Sequence, residues 1–484
     1  MNWLVFWIAA YLILIVLLAL FHLRTSDIEQ YLVNNRKTKT LPLVFTVLAT
    51  FVGGGTSMGL MAMGYESGFA AVGIGVAYVI GFVIMSFFAG KIRSFGAAKK
   101  IYSFPHFLNY TFTTSGDKYF ARIFSATVSG VNIFIFFFIL SAQFVAMASL
   151  LKHSFTLDYT IAVVISALII IFYTAIAGLS GVILTDMIQF IAIIVMIVLI
   201  FIPGIITDTN LFEDLKQLPK EMLNGTYYGW VFLLALPLFL SWSVLVRMDI
   251  WQRILAAKDE KTARRVSLLS GLGMLPFYII FPLVGMAVKL FLDYDLTQKE
   301  TADVAYLFID RHSEGMLMGF AVIGLLSALM SSGDSFLNII AISAVKDFVG
   351  WGKKKEDVPK EKVHKMIRIT TIIFGIIALF VALVFPHIVD LMVVGISTIT
   401  IFAPITFFAL ISKNPFAYRK AVLASILTGF FINLIFFIWG ILYPEQFQAK
   451  SSFVPAFILA TLVLIIGIVM TKPKVSEEHP VEVK

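Results

Sequence analysis

Long apolar runs joined by short polar connections fill almost the whole chain. Thirteen such runs can be counted, at residues 3–23, 41–63, 69–90, 120–151, 158–177, 180–204, 229–252, 268–291, 315–345, 368–386, 388–411, 418–442 and 453–471. A helix needs about twenty predominantly apolar residues to cross the hydrocarbon of a bilayer. Runs of this kind predict spanning helices, not the short alternating strands of a membrane barrel. The second run contains an interruption, Phe51-Val52-Gly53-Gly54-Gly55-Thr56-Ser57-Met58-Gly59. Each glycine costs a helix interior roughly 1 kcal/mol against alanine. Backbone groups freed at that depth meet no water, so the break persists only where it faces protein, a cavity or an ion.

The polar connections set an orientation. Arg24, Arg36, Lys37 and Lys39 follow the first run, whereas the second connection has no basic residue. Lys91, Arg93, Lys99, Lys100 and Lys118 follow the third, and only Lys152 follows the fourth. Arg253, Lys258, Lys261, Arg264 and Arg265 follow the seventh, and the connection after the eighth is acidic. The stretch from Lys346 to Arg368, with Lys353, Lys354 and Lys355, is the most basic of all. Cytoplasmic loops carry the excess of Lys and Arg, so this alternation places the N-terminus outside and the C-terminus inside. Asn2 to His22 reads as a retained helix and not a signal peptide. Residues 472–484 form a short cytoplasmic tail with no domain in it.

Composition agrees with the pattern. Hydrophobic residues make up 60% of the 484 and charged residues 14%, against about a quarter charged in a soluble protein. The net charge of +8 is accounted for by cytoplasmic loops, which excludes nucleic acid as a partner. The chain therefore reads as an all-α polytopic protein, with a single transmembrane domain over residues 1–471. Its place is the cell membrane, with the lipid bilayer as its medium. No nucleophile–base pair or cofactor motif appears, so it is not expected to be an enzyme or to carry an organic cofactor.

Polar and ionisable residues inside spans are functional candidates by default. Span six carries Asp186, and span nine carries Ala328, Ser331, Ser332, Asp334 and Ser335. Span seven has Ser241, Trp242 and Ser243 near its middle, then Arg247 and Asp249; span four has Asn132, Ser141 and Gln143. No His or Cys cluster exists for zinc and no ring of carboxylates for calcium. Carbonyls, hydroxyls and one or two carboxylates are hard, weakly charged ligands that suit an alkali cation held at a broken helix. Plainer readings stand beside this one. The glycines, with Gly59, also fit a close helix-packing face, and the serine pair fits back-bonding to carbonyls one turn earlier. Asp186 also fits a pair with Arg247, and Arg247 itself is expected to snorkel to the inner interface.

Gly178-Leu179-Ser180-Gly181-Val182, followed by Thr185-Asp186 and Gln189, resembles the signature of the sodium:solute symporter family. Ala328-Leu329-Met330-Ser331-Ser332 resembles its second motif, and Asp249-Ile250-Trp251-Gln252-Arg253 through Ala256-Ala257-Lys258 a third. The resemblance implies a leucine-transporter-like fold of two inverted five-helix repeats, here about 41–204 and 229–411, with 3–23, 418–442 and 453–471 peripheral. It implies a sodium site from the carbonyls of Gly54, Ser57 and Ala328 and the hydroxyls of Ser331 and Ser332, supported by Asp186. A second cation is implied at Asp334 and Ser335, where some relatives have serines. By position, Met61, Asn132, Gln143, Ser241, Trp242 and Ser243 are the substrate candidates. The function implied is sodium-coupled symport of a small carboxylate, amino acid or sugar by alternating access. A non-transporting sensor and a proton-coupled carrier are the alternatives.

Overall fold

The computed structural model describes residues 3–21, 28–176, 179–297, 300–345 and 360–471. Arg24, Gly178, the Lys353–Lys355 run and the tail 472–484 lie outside these residues. Among the described residues the secondary structure is helical, with one isolated bridge between Thr38 and Ala257. Ten helices among the described residues are long and apolar enough to cross a membrane. Three shorter apolar helices, Trp3–Leu18, Thr40–Phe51 and Tyr159–Ala175, fall in the first, second and fifth runs.

The second run is short in helix because the glycines divide it. Thr40–Phe51 ends at the break and Met58–Ser67 resumes beyond it. The chain then reverses at Gly68, whose φ of +58° and closeness to Met222 exclude a side chain. The half-helix Met58–Ser67 packs against the helix Glu260–Phe291 through Gly64 and Gly285. A Cβ on Gly64 would overlap the Pro282 backbone, and one on Gly285 the Met61 carbonyl. Gly59 meets nothing closer than the Gly54 carbonyl, 3.7 Å from where its Cβ would lie. The glycine packing contact in this span is therefore at Gly64, not at the Gly-x-x-x-Gly spacing.

The seventh run is broken as well. Gly229–Ala235 passes into a widened π turn over Leu236–Leu240, at Pro237, which cannot donate to the helix ladder and crowds the preceding turn. Ser243–Val246 follows, and then Arg247 takes an extended backbone (φ −70°, ψ 122°) before Met248–Ala256 begins. The end of that last helix is tied to the start of span two: Thr38 N–H donates to Ala256 O at 3.1 Å and Lys258 N–H to Thr38 O at 3.0 Å. Arg36 adds bonds to Leu255 O at 3.3 Å and Ile101 O at 2.7 Å, and Arg93 donates to the carbonyls of Ala257 and Lys258. These buried cations satisfy carbonyls that a helix end leaves open.

Met316–Val345, in span nine, is the most enclosed of the ten long helices, with 78% of its apolar window buried; Ala449–Met470 is the least, at 22%. The outer helices expose Phe87, Phe172, Phe380 and Val469, a belt that lipid solvates and water would not. Span nine, at the centre, is where the polar groups gather.

Candidate functional site

The serine pair of span nine meets the last turn of helix before the glycine break. Ser331 Oγ donates to Ala49 O at 2.8 Å and Ser332 Oγ to Thr50 O at 2.7 Å. Both also reach Ala328 O at 3.2 Å. In an unbroken helix the Thr50 carbonyl would accept the Gly54 N–H, which here donates instead to Gln143 Oε1 at 2.7 Å. The break thus releases carbonyls to span nine. The Gly54 and Ser57 carbonyls, named from the resemblance, accept the Gly59 and Met61 N–H groups at 2.9 and 3.2 Å. The carbonyls facing the hydroxyls lie one turn earlier, because the half-helix Met58–Ser67 begins its own ladder from the glycines. The Ser57 hydroxyl bonds back to Gly53 O at 2.9 Å. Gly53 provides the close approach: a Cβ there would overlap Ser332 Oγ and lie 2.8 Å from Gln143 Oε1 and Ser332 Cβ.

Asp186 is fully buried and accepts from the Thr46 hydroxyl. Its ionic partner is Arg253 Nη2 at 3.3 Å, not Arg247. The same Nη2 reaches Ser335 Oγ at 2.8 Å, Thr50 Oγ1 at 3.0 Å and Thr46 Oγ1 at 3.1 Å. Arg253 is thus the hub between span two, Asp186 and span nine. Ser335 accepts this guanidinium, so its hydroxyl serves a fixed cation. Asp334, also fully buried, accepts from the Tyr173 hydroxyl, which reaches Met330 O at 3.0 Å as well. Asp186 Oδ1 and Asp334 Oδ1 have no hydrogen-bond partner among the described residues. Asp186 and Asp334 therefore lie buried in one cluster, with Arg253 pairing the first.

Against the glycines lies a small cavity, with about 30 Å³ open to the centres of water-sized molecules. Gly53, Gly55, Thr56, Tyr78, Tyr278 and Arg247 line its polar part, and Phe51, Ile139, Phe336, Met392 and Ile396 its apolar part. Ser332 lines it too, so cavity and serine pair share a wall. Arg247 is 5% exposed. Asp249 grips it through Nε (3.0 Å) and Nη2 (2.6 Å), and its guanidinium lies 4.0 Å from the centre of the Phe51 ring. The expectation that Arg247 snorkels outward is therefore corrected: the extended residue at the second break turns it inward, and Asp249 holds it there.

Of the substrate candidates, Gln143 alone lines this cavity. Asn132 donates to Ser343 Oγ at 2.8 Å and joins span four to span nine. Ser241 bonds back to Pro237 O at 2.6 Å, and Trp242 packs on Phe407 with centroids 5.3 Å apart. Met61 is buried where the second run crosses the eighth, and Ser243 is buried with its hydroxyl unpartnered among the described residues. Sequence reasoning missed Tyr78, Tyr278, Arg247 and Arg253 as site residues. The arginines had a signal, since an ionisable residue inside a span is a default functional candidate.

Residues of both helix breaks and Ser332 of the serine pair border one small cavity. A model of the sodium:solute symporter family matches residues 31–429. The chain belongs to the sodium:solute symporter family. A sodium/proline symporter of Staphylococcus aureus is 24% identical to this family member, over 97% of this chain and 93% of the relative. Among solved structures, a Na⁺-coupled sialic acid symporter matches with TM-score 0.78 at 18% identity, over 97% of this chain and 98% of its own. Mhp1, a nucleobase-cation-symport-1 family transporter, matches with TM-score 0.54 at 14% identity, over 90% and 93% of the two chains. At these identities the structural matches establish the fold, that of leucine-transporter-like carriers.

Proposed function

We propose that this protein is a sodium-coupled symporter of the cell membrane that imports a small organic solute by alternating access. One observation carries the reading. The Ser331 hydroxyl lies 2.8 and 3.2 Å from the Ala49 and Ala328 carbonyls and the Ser332 hydroxyl 2.7 and 3.2 Å from those of Thr50 and Ala328, so two hydroxyl hydrogens are shared among three carbonyls. A sodium ion would join the same five oxygens without needing the hydrogens. Carbonyls and hydroxyls bind it weakly enough to release it. Sodium would draw span two to span nine at the glycine break, beside the cavity, and so favour the state that takes solute. Gly54 and Ser57 enter the ligand set only if the break rewinds by one turn on binding. The unpartnered Asp334 Oδ1, beside Ser335, is where a second cation would enter if the solute brings its own negative charge. Thirteen spans with the N-terminus outside, and inverted repeats over 41–204 and 229–411, complete the proposal; the broken helices at the start of each repeat support it.

The test is reconstitution into proteoliposomes. An inward sodium gradient is expected to drive solute above its equilibrium level, and Ser332→Ala to raise the sodium concentration for half-maximal uptake by tenfold or more. Binding without accumulation would instead point to a sensor. Accumulation driven by a pH gradient without sodium would point to a proton-coupled carrier.

A further inference from the structure

The lining of the central cavity has a one-sided charge. Among the residues that form its wall, Arg247 carries the sole ionised side chain, and no carboxylate faces the space. Asp249 occupies the Nε and Nη2 edge of the guanidinium, which leaves Nη1 outside that contact. A bidentate partner on one edge fixes the fork in space, and an oriented arginine recognises a carboxylate far better than a mobile one. The break adds a second source of positive potential. Gly55 and Thr56 line the same cavity where the half-helix Met58–Ser67 starts, and the N-terminus of a half-helix at mid-membrane favours an anionic group of the solute. Three hydroxyls add to the polar wall, with Thr56 Oγ1 and Tyr278 OH 3.4 Å apart and Tyr78 within reach of Arg247. Ile139, Phe336, Met392 and Ile396 supply the apolar lining.

We infer that the solute is a small organic monocarboxylate, its carboxylate on Arg247 Nη1 and the glycine break, and its apolar body against Met392 and Ile396. An ammonium group would find no acid in the wall to receive it, and a sugar would leave most of its hydroxyls against apolar side chains. The inference rests on the symport reading.

The experiment is a thermal-shift and binding series on the purified full chain in sodium or potassium. The probes are propionate, benzoate and L-proline, the carboxamide of each, and D-glucose. Propionate or benzoate in sodium is expected to bind at least tenfold more tightly than its amide, L-proline and D-glucose. In the double variant R247Q/D249N, which keeps a neutral hydrogen-bonded pair, this preference for the acid is expected to vanish while stabilisation by sodium alone persists. Amides, L-proline or glucose binding as well as the acids would overturn the inference, as would no acid binding in sodium. So would an unchanged acid affinity in the double variant. Should that variant not fold, the acid-against-amide comparison on the unmodified chain decides alone. Acids that bind equally in sodium and potassium would overturn sodium coupling and leave the carboxylate assignment standing.

Discussion

At the first interruption the chain presents Gly53, Gly54 and Gly55; at the second it presents Arg247 and Asp249. Both open a helix beside the same cavity, yet by opposite means. The glycines supply no groups of their own. Their lack of side chains lets Ser332 and Gln143 come close, and the Gly54 N–H leaves the helix ladder for Gln143. What the first break offers an ion is therefore bare carbonyl dipoles and borrowed hydroxyls. At the second break the backbone gives way at one extended residue, and the side chain is what matters. A full charge is turned into the cavity and held by its neighbour two residues on. Weak, exchangeable ligation suits a coupling ion that must leave each cycle, and a fixed charge suits choosing one solute class over another.

The two regions are not independent. Arg253, on the helix that follows the second break, reaches Thr46 and Thr50 before the first and pairs with Asp186. Removing one partner of a buried pair costs about 3–5 kcal/mol, because the other charge is left alone. The largest effect is therefore expected from Asp186→Asn, which strands Arg253 next to the proposed ion site. It should lower the melting temperature and abolish sodium-dependent uptake together. The double variant D186N/R253Q should regain most of the stability in a thermal melt without regaining sodium affinity. If Asp186→Asn alone leaves both stability and sodium dependence intact, the two breaks are not coupled through this pair.

The all-helical, many-spanned character, the first break, the contact of the serine pair and the burial of Asp186 were legible because each is a local signal: apolar length, glycine inside an apolar run, hydroxyls and charge at depth. Which groups touch which was not. Arg247 faces inward because Asp249, Phe51 and an extended backbone hold it, and Pro237 was the one mark of that break in the sequence. The carbonyls that meet Ser331 and Ser332 are those of Ala49 and Thr50, a contact the motifs do not name, since motif spacing does not say where a broken helix restarts its ladder. Asn132, Ser241 and Trp242 are polar or amphipathic at the right depth, yet Asn132 and Trp242 turn to neighbouring helices and Ser241 bonds back along its own. Depth is readable from hydropathy; the direction a side chain points on a packed helix depends on partners far away in the chain.

A smaller effect separates the two walls of the first break. Gly53→Ala would drive a methyl group into Ser332, whose Cβ lies 2.8 Å from the new atom and is fixed to a buried helix. Overpacking of this kind costs about 1–3 kcal/mol. It should raise the sodium concentration for half-maximal uptake. Gly55→Ala meets the Met392 Cε at 2.7 Å, the free end of a flexible chain that can swing away. It should cost little stability and leave sodium dependence alone, while raising the KM for solute as Met392 moves into the cavity. Equal effects of both variants on sodium would mean that the glycines act only through backbone flexibility.

The smallest expected effect is a control that touches neither break. Asp259 caps the helix Glu260–Phe291, accepting the Thr262 N–H at 2.7 Å, and that bond holds its carboxyl below the usual value near 3.8. A depressed carboxylate contributes stability above its unfolded pKa and loses it as pH falls through the folded one. The cap should therefore act at full strength at neutral pH and fade only below about pH 4. Asp259→Ala is expected to cost about 0.5–2 kcal/mol, read as a lower melting temperature at pH 7 that converges with the unmodified chain in acid. Sodium half-saturation and solute KM should stay where they were. A shift in either would mean that the end of the Met248–Ala256 helix, tied to Thr38 through Ala256 and Lys258 just before Asp259, transmits strain to the breaks, so that changes in the glycine variants could no longer be assigned to contacts at the glycines themselves.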